Sequence, residues 1–375
     1  MSDLFAPFAR GGLSLRNRVA MAPMTRSRNP DGVPNDLNAL YYAQRAEAGL
    51  IVTEGVSISA TAEGFLFIPG LYTPKQTAGW RRVMDAVHAK GGTIFAQLWH
   101  VGRVSHVSNQ PGGLAPVSST GRIARNAQAW GRTADGRPGP VDVSPPRALT
   151  TGEVYGVIAD FADAAANAVS AGFDGVELHG ANGYLIEQFL NPTVNDRADA
   201  FRGDTLEGRV RFALAAIDAV IARIGARRTA IRLSPYGRLF DMAHYPEMDE
   251  TYLHLASELS KRDLAYVHLM DQTSRGASGF PAEFLAAFRA RYDGVLILAG
   301  GMTRESAERL IAENLIDIAA FGEPFIANPD LVARLRNRWP LARAERDAHY
   351  GGDARGYTDF PDFDPGEAVA SPRGR

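Results

Sequence analysis

The chain has 375 residues, of which 45% are hydrophobic and 22% charged, with a formal net charge of −2. That composition fits a globular protein with a large core, and the near-neutral balance excludes a general attraction to nucleic acid or anionic lipid. It contains no cysteine, which excludes disulfides, thiolate nucleophiles, iron–sulfur clusters and Cys-linked cofactors and fits a cytoplasmic location. The opening MSDLFAPFARGG lacks a basic region followed by an apolar core, so no signal peptide is expected. No apolar run approaches the length needed to span a bilayer.

Apolar, β-branched runs alternate with segments of helical period. The strands are predicted at Arg18–Pro23, Leu50–Gly55, Thr93–His100, Gly175–Gly180, Thr229–Ser234, Tyr266–Met270, Val295–Gly300 and Ile316–Gly322. The clearest helices are predicted at Pro74–Lys90, Glu153–Ala171, Leu206–Ile224, Thr251–Lys261, Pro281–Tyr292, Arg304–Asn314 and Pro329–Arg338. Alternation of this kind implies parallel pairing with right-handed crossovers, and eight such strands close into a (β/α)8 TIM barrel. An open doubly wound sheet is the alternative; if it bound a dinucleotide it would bring a Gly-x-Gly-x-x-Gly turn after its first strand, and the chain has none.

From Val101 to Leu149 the alternation breaks into Gly-, Pro-, Ser- and Arg-rich sequence, including PGGLAPVSS and GRPGPVDVSPPRAL. A stretch this long without a helix is usually functional. Following the third strand, it would rise over the C-terminal mouth as a cap with a small hairpin, with Trp130, Val141 and Val143 to bury. Residues 1–360 are therefore expected to form one barrel domain with the cap inserted at about 101–149, and 361–375 a flexible tail.

The segment that organises the rest is GVELHGANGYLIEQFLNP, Gly175 to Pro192. A strand ends in a Gly-rich turn and resumes as an amphipathic helix-like piece, Leu185 to Leu190. His179, Asn182 and Tyr184 stand on that turn, where a barrel carries its catalytic groups. An imidazole, an amide and a phenol together can bind an oxygen and supply a proton. The first strand is followed by Met24, Thr25 and Arg26, which presents a hydroxyl at the mouth. Gln97 interrupts the third strand, and a buried amide needs partners that a ligand ring could supply. Arg232 interrupts the fifth, where either a carboxylate neighbour or a bound anion or electron-rich ring would compensate its charge. Gly300, Gly301 and Gly322 end the seventh and eighth strands, where barrels commonly bind phosphate. These features suit a flat, polar, phosphate-bearing cofactor across the mouth, and FMN fits that outline. No His, Asp or Glu set has metal-ligand spacing, so no metal is expected.

With these residues in view, the chain resembles the old yellow enzyme family of FMN-dependent ene-reductases, especially the bacterial branch with pentaerythritol tetranitrate, N-ethylmaleimide and morphinone reductases. The resemblance runs to about Tyr357 and rests on NRVAMAPMTRSR, LIVTEGVSIS, FAQLWHVGR, GVELHGANGYLIEQFLNP, IRLSPYG, ILAGG, FGEPFIANPDLV and GGDARGYTDFP. It implies that Pro23, Met24, Thr25 and Gly55 line a non-covalent FMN, with Thr25 also facing substrate. It further implies that Gln97 bonds the pyrimidine side, that Arg232 lies near N1–C2, and that Gly300, Gly301, Gly322 and Glu323 meet the phosphate. His179 and Asn182 would donate to the substrate oxygen and Tyr184 would give the proton, while Phe65, Trp99 and Tyr357 would shape the pocket. Two positions depart from the family: Glu323 stands where an Arg usually grips the phosphate, which implies weaker FMN retention, and Phe65 stands where relatives often carry Tyr.

The implied reaction is ping-pong. NAD(P)H passes hydride to FMN N5, and the flavin then reduces the β-carbon of an activated alkene (an enone, enal, maleimide or nitroalkene), with Tyr184 protonating the α-carbon. Nitrate esters and nitroaromatics are further acceptors. The nicotinamide needs only the flavin face, which accounts for the missing dinucleotide fingerprint. Arg132 and Arg137 in the cap read as solvated surface arginines rather than a 2′-phosphate site. The expected partners are small molecules, with the protein a monomer or homodimer. A non-catalytic flavin-binding barrel is the rival, and the His179, Asn182, Tyr184 set argues against it. A flavin-dependent demethylase or oxidase on this barrel, such as the related amine dehydrogenases, is another enzyme rival; those are usually longer and carry an iron–sulfur cluster, a part that the lack of cysteine excludes here, and the His and Arg pair of a 2-hydroxy-acid oxidase is absent.

Overall fold

The computed structural model describes residues 3–273 and 279–366. Eight parallel strands close into a barrel: β1 (Val19–Met21), β2 (Leu50–Ser57), β3 (Ile94–Trp99), β4 (Gly175–Gly180), β5 (Thr229–Leu233), β6 (Tyr266–Met270), β7 (Leu296–Ala299) and β8 (Ile318–Phe321), with β8 pairing back to β1. This is the (β/α)8 barrel that the alternation predicts. Every strand residue is buried, because helices cover the outside while side chains fill the inside, so the strands read as near-continuous apolar runs. β1 is shorter than expected. Pro23 has no N–H for the ladder, and pairing stops at Met21. β2 is longer, running through a bulge between Val52 and Gly55 where the Thr53 hydroxyl accepts the Gln97 N–H at 3.1 Å.

The interior is layered by the alternation of side chains. Its lower part is apolar, and a hairpin of Phe8–Arg10 with Leu13–Leu15 closes that end, its Phe8, Leu13 and Leu15 packing with Leu50, Phe95, Tyr266, Ile297 and Ile318. Toward the C-terminal ends the same faces carry Gln97, Glu177, Arg232 and His268, all buried. The polar residues thus lie on the mouth side of an apolar floor.

The helices outside the barrel are α1 (Asp36–Gln44), α2 (Pro74–His88), α3 (Thr151–Ala171), α4 (Leu185–Leu190), α5 (Leu206–Ile224), α6 (Met248–Ser260), α7 (Ala282–Arg291), α8 (Arg304–Ala312), α9 (Pro324–Ala327) and α10 (Leu331–Asn337). Their starts follow side-chain caps: Thr73 with Gln76 opens α2, and Thr150 with Glu153 opens α3 two residues before the periodicity does. α1 has no counterpart among the expected helices. Its inward face is Asn38, Tyr41 and Tyr42, whose polar atoms blur the apolar stripe that reveals an amphipathic helix. α4 corrects the expectation of an amphipathic piece, since all six of its residues are buried.

The cap forms where expected. It contains the antiparallel hairpin Gln128–Arg132 with Pro138–Asp142 and a two-residue parallel ladder of Val117–Ser118 with Arg147–Ala148. Of the three residues expected to be buried in the cap, Val143 is buried and Val141 half-buried against the same cluster, but Trp130 is a correction: it is 41% exposed, and the cap buries Ala124, Ala127 and Ala129 with Val143 beside Trp99 and Tyr184. Trp130 falls on the outward side of an edge whose inward positions are Ala129 and Gly131. The start of the expected flexible tail is docked, with Phe363 N donating to Asp330 and its ring 4.9 Å from Trp339. The rest of that tail, residues 367–375, lies outside the described residues.

Candidate active site at the barrel mouth

The turn after β4 is built by backbone conformations that few residues tolerate. Asn182 has a φ of 59° and Gly183 of 78°, and a Cβ at Gly183 would meet the Leu239 carbonyl at 2.5 Å. Asn182 donates its backbone N–H to Ser234 Oγ at 2.7 Å, and Gly183 donates its own to Glu187 Oε2 at 2.7 Å. Ser234 Oγ donates to that same carboxylate oxygen at 2.9 Å. The turn is therefore pinned from below before any ligand arrives.

The two candidate donors on it have their hydrogens already assigned. His179 Nδ1 accepts the Ala181 N–H at 3.3 Å, so the proton of the neutral ring is on Nε2. Burial, with Arg232 and His268 nearby, holds the imidazole well below its ordinary pKa, so it is neutral. Gln272 Nε2 donates to Asn182 Oδ1 at 3.0 Å, which leaves the Asn182 amide group as a donor. Tyr184 lies edge-on to His179 with ring centroids 5.0 Å apart, and edge-on to Trp99 at 4.8 Å. Phe65 stacks on the far side of Trp99 at 5.5 Å, and Phe240 stands 5.4 Å from Tyr184. The result is a continuous aromatic wall with a pair of N–H donors in it.

Below the wall, Gln97 and Arg232 belong to a charged cluster whose other members, Glu177 and His268, the sequence reading did not name. Glu177 accepts from Gln97 Nε2 at 2.7 Å and from His268 Nδ1 at 2.8 Å. Burial alone would raise the Glu177 carboxyl, but His268, Arg232 and Gln97 together hold it below its ordinary value, and it is ionised. Burial keeps His268 neutral. Arg232 is in register between His179 and His268, and its Nη2 meets Met270 Sδ at 3.2 Å. Of the two readings left open for Arg232, a carboxylate neighbour has a candidate in Glu177, whose carboxyl its charge helps to hold down. Glu177 and His268 were hidden in short strand runs, where a polar residue is overlooked unless the inward faces of neighbouring strands are aligned.

The remaining expected residues divide. Met24 and Gly322 are neighbours across the ends of β1 and β8: a Cβ at Gly322 would rest in ordinary van der Waals contact with Met24 Sδ at 3.7 Å and Ala22 Cβ at 3.9 Å. Pro23 and Thr25, on either side of Met24, are half-buried. Gly300 has a φ of 124° and no room for a side chain, Asp271 O lying 2.1 Å from a built Cβ. Gly301 and Glu323 are exposed. Gly55 makes room for the Trp99 ring, which a Cβ would meet at 2.3 Å. Tyr357 does not join the pocket. It is fully buried, stacked on Tyr41 at 4.1 Å with its hydroxyl accepting from Asn38, and Arg26 and Arg28 lie over its ring. The aromatic residue of that segment that stands out is Tyr350, 59% exposed and next to Gly351, whose N–H bonds Arg26 O in the loop that carries Thr25.

The buried donors and acceptors suit a flavin. Gln97 Oε1 accepts nothing from the described residues, and Arg232 supplies positive charge. A closed parallel barrel with such groups at its C-terminal mouth defines a barrel oxidoreductase of the flavin-binding class.

Residues 3–342 match the NADH:flavin oxidoreductase / NADH oxidase family. The chain is 42% identical over 365 residues to 12-oxophytodienoate reductase 1 of Oryza sativa subsp. japonica, with 96% of this chain and 92% of that protein covered. It is similar to the structure of morphinone reductase, with a TM-score of 0.95, 44% identity and 97% of each chain covered. A further neighbour is the old yellow enzyme homologue from Zymomonas mobilis, at a TM-score of 0.90 and 35% identity, over 96% of this chain and 100% of that one. The chain belongs to this flavin oxidoreductase family, that of the old yellow enzymes, and is an enzyme.

Proposed function

We propose that this enzyme is an FMN-dependent ene-reductase that uses NAD(P)H to reduce activated alkenes such as enones, enals, maleimides and nitroalkenes. The observation that carries the proposal is the pair of preset donors, His179 Nε2–H and Asn182 Nδ2–H, on one pinned turn beside Tyr184. FMN, when bound, accepts hydride from a nicotinamide and delivers it to the alkene β-carbon. His179 and Asn182 bond the substrate oxygen and stabilise the negative charge that develops there. The Tyr184 hydroxyl gives its proton to the α-carbon. Phe65 and Trp99 orient the substrate and exclude water. Gln97 Oε1 and Arg232 would hold the pyrimidine side of FMN, Pro23, Met24, Thr25 and Gly55 would flank its ring, and the backbone at Gly300, Gly301, Gly322 and Glu323 would receive its phosphate. The unit responsible spans 1–360.

A structure of morphinone reductase in complex with tetrahydroNAD, similar to this chain at a TM-score of 0.93, supports a nicotinamide as the reductant here. The test is an anaerobic visible spectrum of the holoenzyme. A flavin band that bleaches with NADPH and returns with 2-cyclohexenone is expected, and flavin that never bleaches would sink the reductase. Tyr184→Phe should slow the return by roughly 10²- to 10⁴-fold while bleaching stays near wild type. Equal loss in both phases would remove Tyr184 from the proton step.

A further inference from the structure

We infer that Glu177 is a positioning residue for the cofactor: it fixes the Gln97 amide oxygen-outward and offsets Arg232, and so sets both the recognition of the flavin imide and the flavin's reduction potential. This rests on the reading of the mouth as an FMN site, and it goes beyond that reading in assigning work to a residue the flavin does not touch.

The argument starts from what an ionised carboxylate can do. It accepts hydrogen bonds and donates none. Glu177 is fully buried in the barrel interior, where an unpaired charge would be costly. It takes one N–H from Gln97 and one from His268. An amide that must give an N–H to a carboxylate cannot turn over, so Gln97 Oε1 is left as the outward acceptor. That oxygen has no partner among the described residues, whereas the imide N–H of a flavin pyrimidine is a donor that needs one. With Glu177 neutral or replaced by an amide, Gln97 could present either end.

The same carboxylate governs the local field. Arg232 is the cation of the cluster and Glu177 its anion, while His179 and His268 are neutral. Reduction of a flavin places negative charge on its N1–C2 side. An anion behind Arg232 weakens the stabilisation that the guanidinium gives to that charge. His268 spreads the Glu177 charge through its Nδ1–H without adding charge of its own.

The test uses the FMN holoenzyme and N3-methyl-FMN, which lacks the imide N–H. Wild type should bind FMN roughly tenfold more tightly than N3-methyl-FMN, the scale of one unmade buried hydrogen bond. In Glu177→Gln that preference should shrink to about twofold or less, and the FMN midpoint potential should move positive. Unchanged preference and potential in a folded Glu177→Gln protein would overturn the inference. Should that variant not fold, His268→Leu at pH 8 is the second probe. Loss of its donor concentrates charge on Glu177 and should move the potential negative, and an unmoved potential would count against Glu177. A wild-type protein that binds neither flavin would bring down the FMN reading and this inference with it, whereas flavin binding without the Glu177 effects rejects this inference alone.

Discussion

At the scale of single residues, the mouth is held by carboxylates rather than by the side chains that face it. Glu187 receives Gly183 N–H and Ser234 Oγ–H, and Glu54 receives the N–H groups of Arg26 and Ser27 at 3.1 and 3.3 Å, just past Thr25. Burial pushes each of these carboxyls up to about 7. A carboxyl whose folded pKa is raised binds its proton more tightly in the folded state. Its contribution to stability is therefore complete below the unfolded pKa and lost as pH rises toward the folded one. For Glu187 the loss is about 3 kcal/mol between the ordinary value and about 7. Relative to wild type, Glu187→Gln should gain about that much stability between pH 5 and pH 8 in denaturant melts, and a difference independent of pH would reject it. Glu323 is the other residue with a checkable consequence. It is exposed at the end of β8, and Glu323→Arg should tighten FMN by roughly tenfold through a charge-assisted phosphate contact, read from the fluorescence of flavin released on dilution. His179, Asn182 and Tyr184 were legible because a Gly-rich turn breaks the pattern around them. Glu54 and Glu177 were not, because each serves neighbours distant in sequence, and such a partnership leaves no local signal; Glu187 serves both Gly183, four residues back, and the distant Ser234, and reads in the string as one more residue of a short helix.

Among the elements, the cap and the loop after β5 act as one piece. Arg103 is buried, and its Nη2 donates to the carbonyls of Phe240 and Asp241, both at 3.1 Å, while Arg125 forms an ion pair with Asp241 at 3.1 Å. Phe240 and Asp241 have φ of 56° and 60°, a conformation costly for residues with side chains. The guanidinium compensates by satisfying carbonyls that this backbone turns inward. Arg103→Leu would leave those carbonyls unpaired, and we expect a loss of about 2–4 kcal/mol in stability, with faster proteolytic cutting of the 120–142 region than in wild type. Unchanged protection would show that the clip is dispensable. The cap's existence and hairpin could be read from composition alone. Its attachment could not, since Arg103 sits inside FAQLWHVGR and nothing in that string points 137 residues onward. The strands were legible for the opposite reason, because burial on both faces makes each of them a run of apolar residues.

For the whole molecule, the ends of the chain secure the barrel. The Phe8–Leu15 hairpin closes one end, and at the other the 348–357 segment wraps Arg26, which donates to the carbonyls of Ala348, His349 and Gly356 and to the Tyr41 hydroxyl. Arg28 adds bonds to Ala348, Asp353 and Arg355. Ending the chain after Arg343 would strand both guanidiniums and uncover Tyr41. The truncated protein should melt at least about 5 °C lower and lose flavin more readily, and a truncated protein that retains flavin like wild type would separate the clasp from the site.

That clasp also orders events in time. The loop bearing Thr25 is made some 320 residues before its partners, as in the pairing of Arg26 with Ala348. β1 likewise waits for β8 before the ring of strands can close. A nascent chain can therefore build most of its helices and inner strands while the place for the cofactor is still half-made. Cofactor capture therefore has to wait until the 348–357 segment has closed over the Thr25 loop.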